Sequence, residues 1–204
     1  RQNPKTPKIW ISVNLLYLFW IKLKIWKKKL VELFKSIKST AEHTWAILLM
    51  LIRNLDGAFK DVKNGFWRRE PFLASELDGK TIGIIGYGRL GKIVAKYADA
   101  FCMKVIAYDI NPNVFHNEVI NNSEINYLLS ECDILTLHIP SNKENYNFID
   151  SEKLNKLNKN VVIINTSRGE VIDEVAFLKF LQENKMASAA IDVLHGDSTW
   201  AEFS

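Results

Sequence analysis

The sequence predicts an α/β fold with a doubly wound parallel sheet, and three observations predict it. From Lys80 onward, short apolar runs alternate with segments of helical periodicity, the pattern of strands joined by right-handed helical crossovers. The first of these strands leads into Gly86-Tyr87-Gly88-Arg89-Leu90-Gly91, and the second closes on an acid, Asp109. Length and composition agree. A chain of 204 residues, 48% hydrophobic and 25% charged, is ordinary globular usage and excludes disordered, collagen-like and coiled-coil classes.

The first forty residues stand apart. They hold ten Lys or Arg against one acid, Glu32, while the rest of the chain is net acidic. An apolar stretch from Ile9 to Ile21 runs into Lys22, Lys24 and Lys27-Lys28-Lys29. Thirteen residues are too few to span a bilayer, which needs ~20, and no small-residue cleavage site follows. An interfacial basic helix carrying Trp10, Trp20 and Trp26 is one reading of residues 1–35; an off-frame reading of an A/T-rich gene is the other, and the codons decide between them. No nucleic-acid motif is present, and the acidic remainder argues against such a partner. Cys102 and Cys132 are too few for a disulfide framework and have no metal-ligand spacing, so the expectation is a cytoplasmic protein with reduced thiols and no metal.

Ser39-Thr40-Ala41-Glu42 is a capping-box pattern that predicts a helix from Ser39 to Leu55, apolar nearly all round and stopped by Asp56-Gly57. Residues 58–79 read as a surface connection. Strands are expected at 81–85, 104–108, 134–138, 161–165 and 187–193, with a short one at Val119-Ile120. Leu90, Ile93, Val94, Tyr97, Ala98 and Phe101 carry helical periodicity, as do Ala176, Phe177, Phe180 and Leu181.

The glycine pattern between strand and helix gives each glycine a task. Gly86 permits a tight turn, Gly88 lets a diphosphate approach the backbone, and Gly91 lets helix and strand pack closely. The amides of Arg89 and Leu90, at the helix N-terminus, would receive the phosphates. The Asp109 carboxylate can accept both hydroxyls of an adenosine ribose and would repel a 2′-phosphate, so NAD is favoured over NADP. This is a Rossmann-type signature; the competing reading of Asp109 is a surface aspartate at a fortuitous spacing. Asn165-Thr166-Ser167-Arg168-Gly169 follows an apolar strand, where ligands lie in such sheets. Arg168 could there hold a 2-oxo carboxylate through two parallel hydrogen bonds. Equally, it could pair with a neighbouring acid while Gly169 turns the chain.

Together with Cys132 to Pro140 and Ala190-Ile191-Asp192-Val193, these motifs resemble the D-isomer-specific 2-hydroxyacid dehydrogenases over residues 36–197. The resemblance implies a cofactor domain set into a smaller substrate domain, dimerised in many members through the helix beginning at Ser39. It implies that Arg168 binds the substrate carboxylate and that Thr166, Ser167 and Asp192 line the nicotinamide side. It places His138, Ile139 and Pro140 where a strand end touches the cofactor, and makes His43 structural. The family's catalytic glutamate falls at Asp197, one methylene shorter, and its partner histidine falls later than Ser204. A recognisable substrate-domain half before residue 36 is also missing, with 198–204 a short tail. The expectation is an NAD-binding domain for a small 2-hydroxy or 2-oxo acid, incomplete in its acid–base catalyst. A non-catalytic NAD-binding module that recruits a partner or a membrane surface is the alternative.

Overall fold

The computed structural model describes residues 37–67, 75–116 and 119–195. The basic opening segment, Asp197 and the tail lie outside the described residues.

Five parallel strands form one sheet in the order β2-β1-β3-β4-β5: β1 (Thr81–Ile85), β2 (Lys104–Tyr108), β3 (Ile134–Leu137), β4 (Val162–Asn165) and β5 (Ser188–Ile191). The chain winds outward from β1 to β2, returns to the other side at β3, and continues to β5. The strand order therefore reverses between β1 and β3, and a crevice opens beyond their carboxyl ends. Residue alternation serves both faces of the sheet. Ile82, Ile84, Ile134 and Ile164 pack with α1 (Ile37–Ile52) and α3 (Arg89–Ala100). Ile85, Leu135, Leu137 and Ile163 pack on the other side with α4 (Ile125–Glu131), α5 (Ser151–Leu154) and α6 (Glu174–Glu183). Cys132 lies in that second core, where burial pushes its thiol up to about 12; it is an inert packing residue.

The predicted strands at 81–85 and 104–108 match β1 and β2 to the residue, and the other three are shorter than predicted. β5 stops at Ile191, whose partner on β4 is Asn165. After one further bond, Asp192 N–H to Asn165 O at 3.0 Å, the chain leaves the sheet. Val119-Ile120 is not a strand. The sheet contact of that stretch is a single bridge between Asn122 and Ala107.

The helix expected from Ser39 differs at both ends. α1 is already formed at Ile37, so Ser39 lies inside it rather than at its cap. It ends before Leu55 because Asn54 takes a left-handed conformation (φ 47°), which Asn tolerates better than most residues. Asp56-Gly57 does not stop a helix; the pair sits in the first turn of α2 (Leu55–Lys63), where a plain connection was expected. α1 turns Ala41, Trp45, Leu48 and Ile52 into the core, an i, i+4, i+7, i+11 stripe, with Trp45 stacked on Phe101 at 4.9 Å. Asp150 and Asp173 cap α5 and α6 by accepting from the amides of Lys153 and Ala176.

Candidate functional site

The loop after β1 fills the crevice at the point where strand order reverses. Gly86 has φ +96°, and a Cβ there would lie 2.6 Å from the His138 carbonyl oxygen, so the turn between β1 and the end of β3 admits only glycine. At Gly91 a Cβ would lie 2.2 Å from the Gly86 carbonyl, which is how the first turn of α3 comes against the loop. Gly88 is different. A Cβ there would meet no protein atom within 4 Å, so packing does not require glycine at this position, and one side of it is open. Gly88 is also the N-cap of α3 and has no side chain to cap it. The first amides of the helix, those of Arg89 and Leu90, are thus presented toward the same open space with the positive end of the helix dipole behind them. An unfilled cradle, amide donors and a positive dipole fit a diphosphate.

Asp109 lies beside this cradle. Its Oδ2 accepts from the Tyr87 amide at 2.8 Å and its Oδ1 from the Asn111 amide at 2.9 Å, which leaves acceptor capacity on both oxygens. The Asn122 side chain brackets its backbone: Oδ1 accepts from the Asp109 amide and Nδ2 donates to the Asp109 carbonyl, both at 3.0 Å. Asp109 is thus held by two amides at its carboxylate and by Asn122 at its backbone, beside the glycine turn, and is not a loose surface group. Nothing in the sequence marked Asn122 as its clamp; it stands thirteen residues away in a segment without strand periodicity.

His138 follows β3. Its amide donates to the Ile85 carbonyl at 2.8 Å and its Nε2 lies 3.1 Å from Thr136 Oγ1. Its Nδ1 is buried and has no hydrogen-bond partner, and burial lowers its pKa from 6.5 to about 4, so it is neutral at pH 7. The Ile139 side chain lies against Gly86, and the Pro140 carbonyl accepts from Asn145 Nδ2 at 2.9 Å.

The loop after β4 is held by one buried side chain. Asn165 donates from Nδ2 to the Arg168 carbonyl at 2.9 Å, while its Oδ1 accepts from the Ser167 amide at 3.0 Å and the Ser167 hydroxyl at 2.8 Å. The Arg168 guanidinium donates to the Ser167 carbonyl at 2.6 Å, and no carboxylate among the described residues pairs with it. Among the described residues the Arg168 side chain is therefore an exposed cation without a carboxylate partner. Gly169 does more than turn the chain: a Cβ there would lie 2.2 Å from the backbone carbon of Leu194, so the segment leaving β5 crosses directly over it.

Helix α1 closes this end. The Thr44 hydroxyl donates to the Thr40 carbonyl at 2.9 Å and lies 2.8 Å from the Thr166 hydroxyl in a buried pair; with its own proton committed, Thr44 accepts from Thr166. His43 Nε2 lies 3.2 Å from Asp192 Oδ1. Sequence reasoning treated His43 as structural and passed over Thr44. The structure sets both against the nicotinamide-side candidates, Thr166 and Asp192. His195 does not join them; its ring sits edge-on to Tyr146 at 5.8 Å.

Residues 45–202 match the family described as D-isomer specific 2-hydroxyacid dehydrogenase, NAD binding domain. The chain is 38% identical over 157 residues to a D-3-phosphoglycerate dehydrogenase of Archaeoglobus fulgidus, covering 76% of this chain and 30% of that protein. It is also 38% identical over 162 residues to a glyoxylate reductase of Thermofilum pendens, 76% of this chain and 48% of the relative. Among solved structures, D-lactate dehydrogenase from Aquifex aeolicus complexed with NAD and lactic acid aligns with TM-score 0.71 and 36% identity over 78% of this chain and 49% of that one. The chain therefore spans about a third to a half of the length of these relatives.

Proposed function

The chain belongs to the D-isomer-specific 2-hydroxyacid dehydrogenase family and carries its NAD-binding domain, and we propose that the two halves of its crevice together hold NAD and a small 2-oxo or 2-hydroxy acid. The observation that carries this reading is the open side of Gly88, next to the uncapped start of α3 and the pinned Asp109 carboxylate. The amides of Arg89 and Leu90 take the diphosphate, and Asp109 takes the adenosine ribose hydroxyls. His138, Ile139 and Pro140 wall the crevice between the two halves. Thr166, Ser167 and Asp192 line the nicotinamide side, and Arg168 grips the acid's carboxylate with two parallel hydrogen bonds and polarises the adjacent carbonyl. When bound, NAD supplies the hydride exchanged with C2 of the acid. Asp197 is our candidate for the carboxylate of an acid–base pair. The 204-residue polypeptide is expected to bind NAD.

We assign the reaction to a reducing compartment such as the cytoplasm, where Cys102 and Cys132 stay free thiols. Among the described residues no helix is long and apolar enough to cross a membrane. We also infer a homodimer. α2 exposes Phe59 and Val62, Trp67 just past its end is 78% exposed, and Met50 of α1 is exposed as well; large apolar side chains in solvent suit contact with a second copy.

Calorimetric titration tests the cofactor reading. NAD should bind, NADP should bind at least tenfold more weakly, and Asp109→Asn should weaken NAD by about 10- to 100-fold, since it removes a charged acceptor of two hydrogen bonds. Absence of NAD binding, or an Asp109→Asn protein with unchanged affinity, would overturn it.

A further inference from the structure

We propose that His43 is a positioning residue for the nicotinamide end of the cofactor, acting through Asp192. This rests on the reading of Asp192 given above. The contact is a single one, His43 Nε2 to Asp192 Oδ1 at 3.2 Å, between side chains that are both partly exposed. Its value lies in how rigidly both partners are mounted. The residue after His43 is buried Thr44, which is tied to Thr166 at the end of β4. The backbone of Asp192 is tied to the same strand through Asn165. Two independent anchors on β4 therefore bring an imidazole nitrogen and a carboxylate oxygen to hydrogen-bonding range.

An N–H on Nε2 donates to Oδ1 and occupies that oxygen. The second oxygen, Oδ2, is left to accept from an amide N–H₂, the group that the nicotinamide carboxamide offers. With this contact made, Asp192 lines an open groove of about 370 Å³ between α1 and β5, together with Ile47, Met50, Leu51 and Ala190. Without the imidazole its carboxylate is free to rotate in that open space, and His43 holds it to one orientation. His43 bonds to Asp192 and takes no part in the hydrogen bonds that hold Asp109 beside the glycine loop, so its effect should be confined to one end of the ligand.

That confinement makes the inference testable without turnover. Affinities for NAD and for ADP-ribose, which lacks the nicotinamide ring, would be measured by calorimetry on the full chain and on His43→Ala and His43→Gln. Loss of one positioning hydrogen bond should weaken NAD by about five- to tenfold in His43→Ala and leave ADP-ribose unchanged, with most of the loss restored in His43→Gln, which keeps an N–H donor. Asp109→Asn, by contrast, should weaken both ligands alike. If His43→Ala weakens NAD and ADP-ribose equally, or neither, the positioning role is wrong. If the unaltered protein binds ADP-ribose but not NAD, the placement of Asp192 fails and His43 with it; if it binds neither, the cofactor reading itself is overturned.

Discussion

The two halves of the crevice are built by opposite means. The phosphate–ribose half is made of backbone: glycines that bring carbonyls to contact distance, helix amides, and one carboxylate that accepts from two neighbouring amides while Asn122 clamps its backbone. Apart from the His138 carbonyl against Gly86, its parts lie between Gly86 and Asn122. The nicotinamide half is made of side chains from α1, β4 and the exit of β5, joined by hydroxyl, amide and imidazole contacts. The first is short-range and tolerates little substitution. The second depends on elements far apart in sequence arriving in register. On the proposed reading, main chain recognises the diphosphate and side chains that can be exchanged meet the reacting end.

Substitutions can break this contrast, and the largest effect should come from the backbone half. Gly91→Ala puts a Cβ 2.2 Å from a carbonyl that cannot retreat, so a loss of about 3 kcal/mol or more in stability is expected, seen as a fall in melting temperature together with loss of NAD binding. Next comes Asn165→Ala in the other half. It removes three hydrogen bonds from a fully buried position and should cost about 2–4 kcal/mol. Binding of oxamate, an unreactive 2-oxo acid analogue, in the presence of NADH should be lost, while ADP-ribose binding survives. Loss of both together would show that the halves are not separable.

Acid acts on the boundary between them. The His138 pKa is depressed to about 4 by burial, so the unfolded chain, with its histidine near 6.5, binds a proton that the folded chain refuses. Stability from this group is present above pH 6.5 and falls as pH drops toward 4, by at most about 3 kcal/mol. His138→Gln should flatten that part of a denaturation-versus-pH curve; an unchanged curve would mean that the ring is not held neutral. The smallest effect sharpens the contrast most. Gly88→Ala meets no protein atom, so its melting temperature should match the parent while NAD affinity falls about tenfold. A glycine whose replacement harms only binding is there for the ligand.

Much of this was legible from residue order because local physics writes it locally. The glycine turn, Asp109 and the first two strands follow from spacings of a few residues, and they appear where expected. The misreadings share a cause. Ser39 and Glu42 have capping-box spacing but sit within a helix, since nothing in four residues says where a helix begins. The break at Asn54 is one residue choosing a left-handed conformation, which no apolar periodicity announces. The strand ends at 138, 161 and 193 depend on what the neighbouring strand offers for pairing. His43, Thr44 and Asn122 are polar residues whose importance lies in partners 13 to 149 residues away, a relation that the sequence around each of them does not contain.

The hydroxyl pair between Thr44 and Thr166 spans 122 residues of chain, and that interval has a cost during synthesis. Helix α1 finds cover for its Trp45–Leu48–Ile52 stripe once α3 and Phe101 have been made, but the strand it fastens to follows roughly 6–24 s after Thr44 at ~5–20 residues per second. Moving α1 behind β5 by circular permutation should shorten that wait and raise the yield of folded protein.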